Sequence, residues 1–150
     1  MNTIDRRAFI LTAGFLGLVP IFARAATGVD THLKNTALGG YDAVAYFTEK
    51  VAKVGDPSNT LKWNGADWLF SSAENMKLFA ASPEKYAPQY GGHCAYAAAK
   101  GAIAPGDPLA WTVVKDKLYV NLSPAIREEW SQDIPGNIVQ ADKNWPNLSK

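Results

Sequence analysis

At 150 residues, with 47% of them apolar and 19% charged, the chain has the size and balance of one globular domain. A formal charge of +1, with no Lys/Arg cluster beyond Arg6-Arg7, gives no basis for a nucleic-acid partner or for an acidic membrane surface. A single cysteine excludes an internal disulfide.

The chain opens on an export signal over residues 1–25. Arg6-Arg7 precede an apolar run that ends near Phe22, and Ala23-Arg24-Ala25 has the small-x-small form of a cleavage site. Asp5-Arg6-Arg7-Ala8-Phe9-Ile10 resembles the twin-arginine type, which implies a bacterial protein delivered to the periplasm. A membrane anchor needs about 20 apolar residues, and this run is interrupted by Gly14, Gly17 and Pro20. Membrane association is therefore expected only if the signal stays uncleaved. Cleavage changes the formal charge from +1 to −1 and leaves residues 26–150 as one domain, carrying an unmatched thiol into an oxidising compartment.

Thr27 to Gly40 is polar and irregular, and His32 within it reads as a solvated histidine. Tyr41 to Phe47 is apolar enough to predict a strand, with Asp42 capping a turn; Lys50 to Asn59 reads as a loop. Leu61-Lys62-Trp63, Asn64-Gly65 and Ala66 to Phe70 predict a hairpin on a type I′ turn, with Trp63 opposite Ala66, Leu61 opposite Trp68, and Lys62 opposite Asp67. A helix follows, with Ser71 as N-cap, Glu74 completing a capping box, and Ala73, Met76, Phe79 and Ala80 facing inward. Ser82-Pro83 opens a short second helix.

The stretch Tyr90-Gly91-Gly92-His93-Cys94-Ala95-Tyr96 carries the only cysteine and leads into Ala97-Ala98-Ala99-Lys100-Gly101, a run of helix formers closed by a glycine cap. Cys94 is thus placed in the first turn of a short helix, where backbone N–H groups favour a thiolate. A second hairpin turns near Lys115-Asp116, with Trp111, Val113, Leu118, Val120 and Leu122 alternating against Thr112, Val114, Lys117, Tyr119 and Asn121. Ser123-Pro124 caps a helix that turns Ile126 and Trp130 inward. Ile134, Ile138, Ala141 and Trp145 form the stripe of a last helix, stopped by Pro146. No internal repeat is legible. The expected architecture is α+β: one small antiparallel sheet of about five strands, including two hairpins, with short helices on one face.

Phe70-Ser71-Ser72-Ala73-Glu74-Asn75-Met76-Lys77-Leu78-Phe79 followed by Ser82-Pro83-Glu84-Lys85-Tyr86 resembles the core of the YHS domain. Gly40 to Phe47, Gln89 to Tyr96 and Asp133-Ile134-Pro135-Gly136 are similar to the exported bacterial branch of that family. The resemblance implies a YHS-like fold and, since YHS domains accompany heavy-metal and copper ATPases, metal handling through cysteines. The family's cysteine slots, however, hold Ala45, Ser71 and Asn75 here. A structural zinc site wants four ligands, and what remains is Cys94 beside His93. Members of the exported branch sometimes carry selenocysteine; if it falls at the Cys94 slot, the resemblance implies a reactive chalcogen.

Three functions follow as expectations. Cys94, with His93, binds a soft ion such as copper as Cu(I) in a periplasmic metal-handling protein; or Cys94 is a redox thiol resolved by an external thiol; or the domain is a non-catalytic interaction module whose aromatic residues bind a partner. No nucleotide-binding glycine loop, Ser/His/Asp triad, paired-carboxylate motif or His-x-x-x-His spacing supports a hydrolase or transferase.

Overall fold

The computed structural model of the chain describes residues 35–150; the export signal read over 1–25 and His32 lie outside the described residues. The order of elements repeats. A 3-10 turn (Ala37–Gly40) leads to α1 (Ala45–Thr48), the hairpin β1 (Asp56–Trp63) and β2 (Ala66–Phe70), then α2 (Ala73–Ala81) and α3 (Pro83–Tyr86). A second 3-10 turn (Gln89–Gly92) leads to α4 (Ala95–Ala99), the hairpin β3 (Asp107–Val114) and β4 (Lys117–Asn121), then α5 (Pro124–Ser131) and α6 (Ile134–Leu148).

The fold is α+β, but the expected single sheet of about five strands does not form. The four strands make two separate two-stranded antiparallel sheets, β1-β2 and β3-β4. The strand expected over Tyr41–Phe47 is reduced to an isolated bridge, Tyr41 with Val54, and two further isolated bridges join Thr36 with Asp67 and Cys94 with Val120. Two of these stop for a conformational reason. Leu38 and Gly39, then Tyr90 and Gly91, sit in left-handed conformations that cannot extend a ladder. The strand expected over Tyr41–Phe47 also fails, because the Asp42 carboxylate accepts the N–H groups of Val44 (2.9 Å) and Ala45 (3.3 Å) and bends the chain into α1.

The repetition extends below the level of elements. Tyr41 N donates to Leu38 O at 3.0 Å, as His93 N does to Tyr90 O; Asp42 N donates to Lys53 O at 2.8 Å, as Cys94 N does to Ala104 O at 2.9 Å. Each hairpin shifts register near its start, between Asp56 and Thr60 in one and between Asp107 and Trp111 in the other. Glycine precedes each shift for the same steric reason. A Cβ on Gly55 would lie 2.5 Å from the Leu69 carbonyl carbon, and one on Gly106 would lie 2.1 Å from Gly92 O. Ser72 then caps α2 through Asn75 N, and Ser123 caps α5 through Ile126 N. At constant spacing, Phe79 and Trp130 each seal a core at 0% exposure. Two copies of one turn-helix-hairpin-helix unit thus make up the described chain.

The first hairpin adopts the expected pairing, Trp63 with Ala66, Lys62 with Asp67, and Leu61 with Trp68. Asn64 and Gly65 take positive φ, as a type I′ turn requires. Helix α2 differs from expectation: Ser72, not Ser71, is its cap, since Ser71 is engaged by Asp42. Ala73 and Ala80 accordingly stay exposed, while Asn75 and Phe79 turn inward. In the last helix the stripe Ile134, Ile138, Ala141 and Trp145 packs inward as expected, but the helix runs through Pro146 to Leu148.

β4 is the wall between two cores. Leu118 and Val120 pack with Tyr46, Trp68, Phe70 and Phe79, whereas Tyr119, on the opposite face, packs with Tyr90, Trp130 and Ala141. A strand's side chains alternate between faces, so a strand with both faces covered loses its polar alternation.

Candidate functional site

Cys94 lies where the second 3-10 turn hands over to α4. Tyr90 and Gly91 take φ of 56° and 61° and Gly92 takes 83°; the two glycines adopt this region without the cost a side chain brings. The chain then extends through His93, and Cys94 becomes the N-cap of α4 rather than a residue of its first turn. Its sulfur accepts the Ala97 N–H at 3.4 Å and its S–H faces Asn121 Oδ1 at 3.6 Å. Asn121 Oδ1 also accepts the Tyr96 N–H at 3.0 Å, which fixes the orientation of the amide. Cys94 is 1% exposed and Asn121 fully buried. Asn121 Nδ2 has no hydrogen-bond partner among the described residues.

His93 serves a different contact. Its Nδ1 is 3.0 Å from Tyr90 O; a carbonyl only accepts, so Nδ1 carries the hydrogen. Its ring packs on Trp145 with centroids 5.6 Å apart. The extended backbone at His93 (ψ 162°) sends consecutive side chains apart. The structure therefore does not join His93 and Cys94 into one ligand pair. Among the described residues no group of three or more His, Cys, Asp or Glu side chains is placed to hold a metal ion. Here Cys94 offers a soft cation such as Cu(I) one sulfur, while the His93 ring is directed to Tyr90 and Trp145.

A second hydrogen-bonded cluster forms around Asp42. Asp42 Oδ2 accepts from Ser71 N (2.8 Å), Ser71 Oγ (2.7 Å) and Asn75 Nδ2 (2.7 Å), while its Oδ1 caps α1. Ser71 and Asn75 thus surround a buried carboxylate. By the internal repetition, Cys94 occupies in the second unit the place of Asp42 in the first.

A cleft beside the second core was not legible in the sequence. It encloses about 330 Å³ and is lined by Trp63, Glu84, Pro88, Tyr90, Asp142 and Trp145, among others. The end of β1, the short α3 and the last turns of α6 bring these residues together. Tyr90 Oη donates to Asp142 Oδ1 at 2.9 Å, and its ring meets Trp145 at 5.6 Å. Burial, and then the hydrogen-bonded Asp142 carboxylate, push the Tyr90 hydroxyl's pKa above its ordinary value, so the hydroxyl stays a donor. Trp63 is held from behind by Trp68 and Phe79. Compared with protein-family models, curated proteins and solved structures, the chain matches none.

Proposed function

We propose that the chain is an exported, YHS-like, non-catalytic binding module that works in the periplasm through the aromatic cleft beside Tyr90. One contrast carries the reading: the sulfur expected to do chemistry is sealed as a helix cap, while the aromatic cleft is open and flanked by charge. Concave, largely apolar surfaces with a few placed polar groups are where ligands bind. The copper-binding expectation has less support, because Cys94 and His93 are directed to separate partners.

The test combines thiol access with partner capture. In the native protein Cys94 is expected to react slowly with a thiol reagent, and stoichiometric Cu(I) is expected to leave that rate unchanged. Cys94→Ser, which puts a preferred N-cap residue in place of the sulfur cap, is expected to keep its fold and its periplasmic partner, whereas Glu84→Arg loses the partner. Strong protection of Cys94 by Cu(I) would restore the metal reading.

A redox role for Cys94 is the second reading, favoured by the unpartnered, buried Asn121 Nδ2 in the side chain that already touches the sulfur. An oxygen added to sulfur by a hydroperoxide, which is reduced to water or an alcohol as the thiol loses two electrons, would offer that amide an acceptor. Trapping of a Cys94 sulfenate in the folded protein after peroxide treatment decides for this reading; an inert thiol decides against it.

A further inference from the structure

The chemistry of the cleft is more selective than its aromatic content. Two carboxylates, Glu84 and Asp142, line it, and no lysine or arginine does. The ion pairs among the described residues are Lys53 with Glu49 and Lys62 with Asp67, so no described lysine or arginine forms an ion pair with either cleft carboxylate. Asp142 spends Oδ1 on the Tyr90 hydroxyl and retains Oδ2. Ring faces attract cations and carboxylates accept their N–H groups.

We infer that the cleft takes the guanidinium of an arginine side chain presented by the module's protein partner, laid against an aromatic face with its N–H groups turned to Glu84 and Asp142; the inference rests on the binding-module reading above. Arginine is the cation that satisfies both features together. Its planar group stacks on a ring while five fixed N–H donors remain for carboxylates. A lysine ammonium is a compact, strongly hydrated charge without a stacking plane. A quaternary ammonium suits the rings but has no N–H for the two carboxylates. The other apolar hollow against α6 is lined by Lys115 and Lys117 and would repel the same group.

The experiment titrates the folded mature protein with N-acetyl-arginine-amide and follows the Trp63, Tyr90 and Trp145 resonances by NMR. Arginine-dependent shifts at these three residues are expected. N-acetyl-citrulline-amide, the neutral isostere, and tetramethylammonium are expected to bind at least about tenfold more weakly, as is arginine to a Glu84→Gln/Asp142→Asn protein. The amide oxygen that replaces the Asp142 carboxylate would still accept the Tyr90 hydroxyl, and circular dichroism confirms that the variant is folded. Absence of shifts with arginine, equal binding of citrulline, or an unchanged affinity in the double variant overturns the inference. Tighter binding of tetramethylammonium overturns it in favour of a quaternary ammonium. The two readings fail separately: if citrulline binds as well as arginine, the cleft is still a binding site, whereas a partner captured equally well by Glu84→Arg removes the cleft from the function altogether.

Discussion

Asp42 is fully buried, and both of its oxygens are committed. Oδ1 caps the first turn of α1 and Oδ2 holds Ser71 and Asn75 at the start of α2. A carboxylate removed from water is tolerated only when donors replace its hydration, and here five hydrogen bonds from the protein do so. Asp42→Ala strands several buried donors at once, each costing about 1–3 kcal/mol, so a total loss of about 3–5 kcal/mol is expected, read as a fall in the urea midpoint at unchanged slope. Asp42→Asn keeps the cap through its carbonyl but sets an NH2 group against Ser71 N–H and Asn75 Nδ2. Its expected loss is about 2 kcal/mol. Equal stability of Asp42→Ala and the parent would show that the network is incidental. Sequence reasoning gave Asp42 a local turn role because its further partners lie 29 and 33 residues away, a separation that no short motif encodes.

At the level of elements, the two hairpins differ in how openly they declare themselves. The first places Asn64-Gly65 at its turn, and alternation on either side sets the register that forms. The second turns on Lys115 and Asp116 with φ of 48° and 58°, so two residues with side chains occupy a region that suits glycine. Its register, Val114 with Lys117 and Val113 with Leu118, was legible only from the flanking alternation. Asp116 stands at the second turn position, which Gly65 fills in the first hairpin. Asp116→Gly is therefore expected to stabilise the protein by about 0.5–1 kcal/mol, relief of left-handed strain outweighing the extra freedom glycine gives the unfolded chain. A thermal midpoint that falls on this substitution would contradict the argument. The strand misread over Tyr41–Phe47 fails for another reason: its second half, from Ala45, turns into α1, and short apolar runs fit either state.

At the scale of the whole molecule, the duplicated unit was hidden because it preserves geometry more than residue identity. Gly-Asp-Pro recurs at Gly55 and Gly106, and Gly-Gly at Gly39 and Gly91. Between them Trp68 answers to Tyr119 and Phe79 to Trp130, aromatic for aromatic but never the same residue, and Asp42 answers to Cys94, alike in position only. The candidate site was half legible for the same reason: the Gly-Gly-His-Cys stretch does form a built turn and a capped helix, but burial, which decides what the sulfur can do, depends on β4 packing across it.

Both cores are closed by tyrosines, and this gives the molecule an alkaline limit. Tyr46 is fully buried and donates to Pro108 O at 2.9 Å. Burial first, and then the nearby Tyr41, Asp107 and Asp42, raise its pKa above the ordinary value of 10.0. Tyr90 and Tyr119 in the second core are shifted the same way, chiefly by burial. A raised value means that the folded state holds its protons where the unfolded chain releases them. The stabilisation is thus complete below about pH 10 and is lost as pH climbs above it, by up to about 1.4 kcal/mol per pH unit for a tyrosine as enclosed as Tyr46. Urea midpoints measured from about pH 9 to about pH 11 are expected to fall steeply over the upper half of that range. Tyr46→Phe is expected to lower stability at neutral pH, through the hydrogen bond lost at Pro108, and yet to flatten the alkaline slope. Parallel slopes for the two proteins would mean that the phenol ionises freely in the native state, and that the first core is open to water at the end of α1.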